Sequence, residues 1–291
     1  MRNAVARVAR IIGLLSLLVA LAGYSALRLG YSTLPDVAFW WLDGYLDFDD
    51  AQEQRVREDI TRVHAWHRAN ELPQWIQLLG RIEQLAAADT TPERVCAFEP
   101  DLRRRWLAVR EQLEPVILAN ASTLGPAQMQ QLQRKYARNV REFERDWLRV
   151  SPAEQLDKRV KQAQERMETM YGTLTDGQRA ALRQQLERTP YQAERILQER
   201  RRRQQDVMAV LRRLSTEQVP AEEARTMVRA LFDRMLTSPD PTYRAYQEAL
   251  RLDTCRLVAQ VHNTAGPAQR EHAVRRLRSW QRDLQELAGR S

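Results

Sequence analysis

The chain has 291 residues, a net charge of +8, only 10 Gly, 12 Pro and 2 Cys. Ala, Leu, Gln, Glu and Arg dominate and β-branched runs are nearly absent, which excludes a sheet-built or low-complexity chain and leaves helix. Almost all of the basic charge is Arg, with Lys only at 135, 158 and 161, a balance that suits anionic lipid headgroups, lipopolysaccharide phosphates or acidic polypeptides.

Arg2, Arg7 and Arg10 precede an apolar run from Ile11 to Ala22, and small residues follow, the layout of a secretory signal peptide. Leu21-Ala22-Gly23 has the form of a bacterial lipobox, but Tyr24 stands where a Cys would take the lipid, and a phenol cannot form the thioether. Lipidation at Tyr24 is therefore not expected. The uncharged stretch Ile11–Leu27 falls a little short of the roughly 20 residues of a comfortable spanning helix. Two readings stay open: an uncleaved anchor, or cleavage after Ala22 at Ala20-Leu21-Ala22. Either way residues 1–27 are expected to be a signal peptide or membrane anchor, with the basic end cytoplasmic and the rest exported, facing the periplasm of a bacterial cell envelope. Export argues against nucleic acid as a partner.

Residues 28–48 follow as an aromatic and acidic docking segment, with Trp40-Trp41-Leu42-Asp43-Gly44-Tyr45-Leu46-Asp47-Phe48-Asp49-Asp50 at its end. Trp40, Trp41, Asp43, Tyr45, Asp47 and Asp49 are candidate partner-binding residues, with Asp43 and Asp47 facing the same way at i, i+4. On the structural alternative Trp40 and Trp41 pack the segment onto the bundle and Asp49 caps the next helix. The Gly and distal Glu of a calcium loop are missing, so no metal is expected there.

Residues 49–291 read as one all-helical domain of short-linked, antiparallel helices, with a soft boundary near 214–220. Helix starts are marked by Pro at the first helical position or by a cap with Glu or Gln three residues on. Asp49-Asp50-Ala51-Gln52 opens a helix to about Ala69, and Glu71-Leu72-Pro73 starts the next. Thr91-Pro92-Glu93 opens another, interrupted at Pro100 and resumed to about Ser122. Gly125-Pro126-Ala127-Gln128 begins one reaching Arg149, Ser151-Pro152-Ala153-Glu154 one ending near Gly172, and Thr175-Asp176-Gly177-Gln178 a short one. Thr189-Pro190-Tyr191-Gln192 leads into one ending near Leu214, and Pro220, Pro239 and Pro267 mark the last three. Apolar spacing agrees, as in Val56, Ile60, Val63 and His67. The expectation is an all-α multi-helix antiparallel bundle or arc of about nine or ten helices after the N-terminal segment. Cys96 and Cys255, an even count in an oxidising compartment, predict one disulfide tying the N-terminal third to the last helices. By the chain-entropy model it is worth about 5 kcal/mol; two buried free thiols are the alternative.

Chemical signatures are sparse. His64 and His67 form H-x-x-H on a helix, but no HExxH or CxxC supports zinc, and a core or capping role fits the apolar stripe better. Arg200, Arg201, Arg202 and Arg203 are a candidate anionic contact, although four consecutive residues circle a helix rather than share a face. Arg103 to Arg105 is a shorter run of the same kind. Asn139 and Glu142, at i, i+3, suggest a buried polar pair. There is no G-x-S-x-G, P-loop or G-x-G-x-x-G, and no cofactor is expected.

The signature Trp40-Trp41-Leu42-Asp43-x-Tyr45-x-Asp47-Phe48-Asp49 resembles that of a family of proteobacterial envelope lipoproteins of unknown function. Further matches are His64-Ala65-Trp66-His67-Arg68, Glu71-Leu72-Pro73, Ala137-Arg138-Asn139 with Glu142-Phe143, Tyr171-Gly172-x-Leu174 with Gln178, Arg203-Gln204-Gln205-Asp206, and Cys255 with His262-Asn263. The resemblance implies an all-helical lipoprotein and no activity; Tyr24 is the departure, and it puts lipid anchoring and outer-membrane sorting in doubt. Leu174-Thr175-Asp176-Gly177-Gln178 and Leu214-Ser215-Thr216-Glu217-Gln218 are similar to the Leu-Thr-x-x-Gln motif of small periplasmic chaperones of the Spy and CpxP type, though the same letters spell a capping box. The expected function is non-enzymatic: an envelope protein binding other polypeptides or envelope polymers. The rivals are an ATP-independent holdase, and a cell-wall or lipid hydrolase using Asp43 and Asp47 as paired carboxylates.

Overall fold

The computed structural model describes residues 26–289. The expectations on the leader, Tyr24 among them, lie outside the described residues. The aromatic segment is helical: α1 (Ala26–Ser32) is followed by α2 (Leu34–Leu46). Then α3 (Asp50–Trp66) starts at Asp49, whose carboxylate accepts from Gln52 N–H while the Gln52 side chain accepts from Asp49 N–H, the expected capping box.

This helix does not stop at Ala69. A π turn, His67–Glu71, carries it directly into α4 (Leu72–Leu85). Pro73 was expected to mark a fresh start, because proline has no N–H to give and crowds the preceding turn. The wide turn accommodates it instead, with Leu72 N–H bonded to the His67 carbonyl five residues back.

Next come α5 (Pro92–Cys96) and α6 (Glu99–Ala121), separated just ahead of Pro100 as expected. α7 (Pro126–Phe143) is prolonged by a second π turn, Glu144–Leu148, in which Arg149 N–H reaches the Glu144 carbonyl. α8 (Pro152–Tyr171) opens on the Ser151–Glu154 capping box and closes on Gly172 at φ +74°, a backbone angle that favours glycine. The remaining helices are α9 (Asp176–Arg188), α10 (Ala193–Thr216), α11 (Ala221–Leu236), α12 (Pro241–Asn263) and α13 (Pro267–Ala288). Among the described residues there is no strand, and the protein is an all-α bundle or arc.

Its interior is divided. Ala121, Val210, Leu214, Val228 and Phe232 join α6, α10 and α11 in one apolar cluster. Residues 214–220 thus link two helices of a single cluster. Tyr171, Leu182, Leu257, Val261 and Ala273 form a second cluster among α8, α9, α12 and α13. Phe143, Ala193 and Leu197, with Trp147 and Tyr191, form a third where the second π turn meets α10.

The long α3–α4 helix buries polar as well as apolar side chains: Gln52, Asp59, His64 and Glu71. Each has a partner, as buried polar groups require. Asn120 Nδ2 donates to Asp59 Oδ2 at 2.8 Å, and Arg105 pairs with Glu71 at 3.4 Å. α4 runs along α13, α5 along α12, and α2 packs between α3 and α7.

Cys96 on α5 and Cys255 on α12 form the expected disulfide, with Cα atoms 5.7 Å apart. Two turns further along α12, the buried His262 ring bridges the Tyr171 hydroxyl (3.0 Å) and the Ala88 carbonyl (2.8 Å). Asn263 makes two bonds to the backbone of Thr90, both 2.9 Å. Cys255 thus holds α5 to α12, and His262 and Asn263 hold the 86–91 connection.

Candidate functional site

The aromatic-acidic patch divides into parts with different work. α2 ends at Leu46, and Asp47 takes a left-handed conformation (φ 54°). Asp43 and Asp47 therefore do not share a helical face, because the helix stops between them. Asp43 Oδ1 accepts the Phe48 N–H at 3.0 Å, Asp47 N–H caps the Asp43 carbonyl, and Asp49 caps α3. These carboxylates end one helix and start the next.

Tyr45 points inwards: Asn139 Nδ2 donates to its hydroxyl at 2.8 Å, and Lys135 sits 5.0 Å from its ring centre. Asn139 is thus paired with Tyr45 rather than with the exposed Glu142. Trp40 and Trp41 do not pack the segment down; they are 75% and 54% exposed. Phe39 performs that task, buried beneath the Arg57 guanidinium at 3.6 Å.

The two histidines of H-x-x-H fasten α1. The Tyr31 hydroxyl and His67 Nδ1 are 3.0 Å apart, His64 Nε2 meets the Tyr31 carbonyl at 3.1 Å, and the His64 and Tyr31 rings lie 4.6 Å apart. Burial pushes both imidazoles below the ordinary histidine range; the His64 charge adds to this at His67, while for His64 the Tyr31 carbonyl opposes it. Burial also pushes the Tyr31 phenol up to about 12. Among the described residues no cluster of His, Cys, Asp or Glu could hold a metal ion.

A feature not expected from local reading is a paired glutamine clamp, present twice. Gln52 at the start of α3 and Gln128 at the start of α7 exchange side-chain hydrogen bonds (3.3 and 2.6 Å). Each also donates across the junction, Gln52 to the Thr123 carbonyl and Gln128 to the Asp47 carbonyl, and each accepts its own cap N–H. Gln178 on α9 and Gln269 on α13 repeat every one of these bonds, with 2.9 and 3.0 Å between the carboxamides and donations to the Thr264 and Thr173 carbonyls. Thr175 and Gly266 supply the cap N–H groups.

The signal lay in the sequence: Thr-x-Gly-Pro-Ala-Gln occurs at 123–128 and again at 264–269. Of the two Leu-Thr-x-x-Gln echoes, only 174–178 starts a helix; 214–218 ends one, since Ser215 and Thr216 bond back to the Arg212 carbonyl.

The arginine run is dispersed as a helix demands. Arg202 and Arg203 bond the buried Glu199, which Ser238 also contacts. Burial opposes ionisation of Glu199, but these three donors prevail and hold its carboxyl below the usual range. Arg200 lies over Phe143 at 4.7 Å.

Arg201 alone of the four lines an open groove of about 550 Å³ between α7 and α10, with Arg141 and Arg212 on its rim and Tyr136, Val140 and Met208 in its floor. A further 350 Å³ continues it past Met129 and Leu124 through shared Gln133, Met208 and Arg212. Arg134 and Arg138 flank it. Arg201 reaches Glu144 at 2.5 Å, but among the described residues Arg138, Arg141 and Arg212 have no carboxylate partner. A larger hollow of about 750 Å³ lies beside α6 and α11; there Glu114 already pairs with Arg229 at 2.7 Å. Burial, with Tyr45 nearby, pushes the Tyr136 phenol up to about 12, so in the groove it is a neutral hydroxyl.

Residues 44–226 match a family of unknown function, DUF6279. No curated protein and no solved structure matches the chain.

Proposed function

The chain belongs to DUF6279, and we propose that it is a non-enzymatic binding protein of the bacterial cell envelope that takes acidic, apolar-bearing stretches of other polypeptides or envelope polymers into the α7–α10 groove. The observation that carries this reading is the groove itself: three arginines without carboxylate partners set around a floor of Met, Tyr and Val. Arginine forks match carboxylates, and a rim of like charge steers an oppositely charged partner. A second reading, the holdase, is favoured by Met129 and Met208 in the floor, since thioether side chains adapt to many apolar surfaces.

The test uses the full-length chain in nanodiscs. Fluorescence anisotropy with an acidic amphipathic peptide and its charge-neutral counterpart is expected to favour the acidic one, and to lose affinity as salt rises. The triple variant R138E/R141E/R212E is expected to weaken binding about tenfold or more. Equal affinity for both peptides would reject the charge argument. Suppressed aggregation of two unrelated unfolding clients without nucleotide would extend the reading to a holdase, and no suppression would confine it to dedicated partners.

A further inference from the structure

The exposed apolar side chains of the first helices lie immediately downstream of the apolar run. Leu29 on α1 is 56% exposed; on α2, Leu34, Val37, Trp40 and Trp41 are 45%, 54%, 75% and 54% exposed. At 3.6 residues per turn those four α2 positions fall within an arc of about 120°, turned away from buried Phe39. We propose that this face is a membrane-surface contact, seated among the headgroups of the bilayer that the apolar run enters.

Three observations point to lipid as the occupant. The apolar stretch Ile11–Leu27 ends two residues before Leu29, with Arg28 between them. Along helices, Trp41 is then at most about 20 Å from Leu27, so the face meets the bilayer without any linker. Indole is amphipathic and concentrates at the membrane interface, where its ring is dry and its N–H wet. Basic groups flank the face: Arg57, shared between Glu53 at 2.7 Å and Asp36 at 3.5 Å, and the Lys135 ammonium beside Gly44.

The seating also orients the rest. α1 is tied to α13 through Arg28 and Asp283 (3.1 Å) and to the first π turn through Tyr31. α2 packs on α7, so the contact sets which way the α7–α10 groove faces. The inference depends on the envelope reading for the presence of a bilayer, and not on what the groove binds.

The experiment reconstitutes the full-length chain into phosphatidylethanolamine–phosphatidylglycerol vesicles whose acyl chains carry bromine close to the headgroup, and reads tryptophan quenching. The wild type is expected to be quenched relative to unbrominated vesicles, and W40F/W41F to lose most of that quenching while keeping its thermal midpoint and its peptide affinity. Unchanged quenching in W40F/W41F, or none in the wild type, overturns the proposal. So does a photocrosslinker at position 40 that joins a second copy of the chain or residues 1–25 in place of lipid, because either would show that something else covers the face. Loss of peptide binding with quenching intact would strike the groove reading alone.

Discussion

The two glutamine clamps share six hydrogen bonds, to which Gln52 adds one to the Thr123 hydroxyl, and they are equally buried, yet they border different regions. The first, Gln52 with Gln128, joins the end of α2 to α3 and α7, beside the Leu124–Met129 end of the groove. The second, Gln178 with Gln269, borders the Tyr171–Val261 cluster at Leu174 and Ala265, just beyond the His262–Asn263 strut. One junction device thus serves a half of the molecule that keeps its surface available and a half that is locked. The difference shows that the clamps fix helix geometry, and that what surrounds them decides whether a region is open or closed.

The largest test of that contrast is the disulfide. Replacing Cys96 and Cys255 by Ala is expected to cost about 2–5 kcal/mol. Hydrogen exchange should place the lost protection in α5, α12 and the 86–91 connection, leaving α7 and α10 nearly unchanged. Uniform loss across both halves would mean that they unfold as one unit.

Next come the clamps. Gln52→Glu and Gln178→Glu replace three and two donated bonds respectively with a buried carboxylate facing a carboxamide oxygen and a backbone carbonyl. About 3 kcal/mol or more is expected from each, read from urea midpoints. Similar losses at both sites would confirm that the device is independent of its setting, whereas a much smaller loss at Gln52 would mean that the open half relaxes around the defect.

The smallest effect concerns the α1 tether. His64 and His67 titrate below the ordinary value of 6.5 in the folded protein, so under mildly acidic conditions the unfolded chain binds more protons than the folded one. Their contribution is present above pH 6.5 and is lost as the pH falls through the folded values. Cleavage by trypsin after Arg28 is expected to accelerate between pH 7 and pH 5.5, after correction for the enzyme's own pH dependence. Cleavage within α12 should not change, and H64Q/H67Q should flatten the response.

Much of the helical layout was legible because its signals are local. Ser151, Thr175 and Asp49 announce helix starts through residues only three positions away, and the structure uses each of them. The Gln–Gln pairing escaped because its partners lie 76 and 91 residues apart, and a capping box read one helix at a time gives no reason to look elsewhere. Pro73 misled for a related reason: proline forbids one hydrogen bond, and a π turn removes the need for it. At the patch, spacing identifies an apolar face but not what covers it, so Trp40 and Trp41 were as compatible with packing as with exposure. The groove was illegible in the Arg200–Arg203 run, because neighbouring residues point in different directions and only Arg201 reaches it. Arg138, Arg141 and Arg212 come from two helices that only the tertiary fold brings together.

The first π turn has a genetic corollary. A π turn holds one residue more than the α-helical turn it replaces, so the continuous helix from Asp50 to Leu85 amounts to a helix with a single codon inserted. That codon turns everything beyond it by about 100°. It lets one rod present a face to α2 and α6 at one end and another to α13 at the other, where Glu83 meets Arg278 and Gln281. Losing any one residue of the turn would be a small lesion by length but would swing Glu83 out of reach of both partners. Natural variants of this chain should therefore tolerate substitution in His67–Glu71 far better than they tolerate deletion.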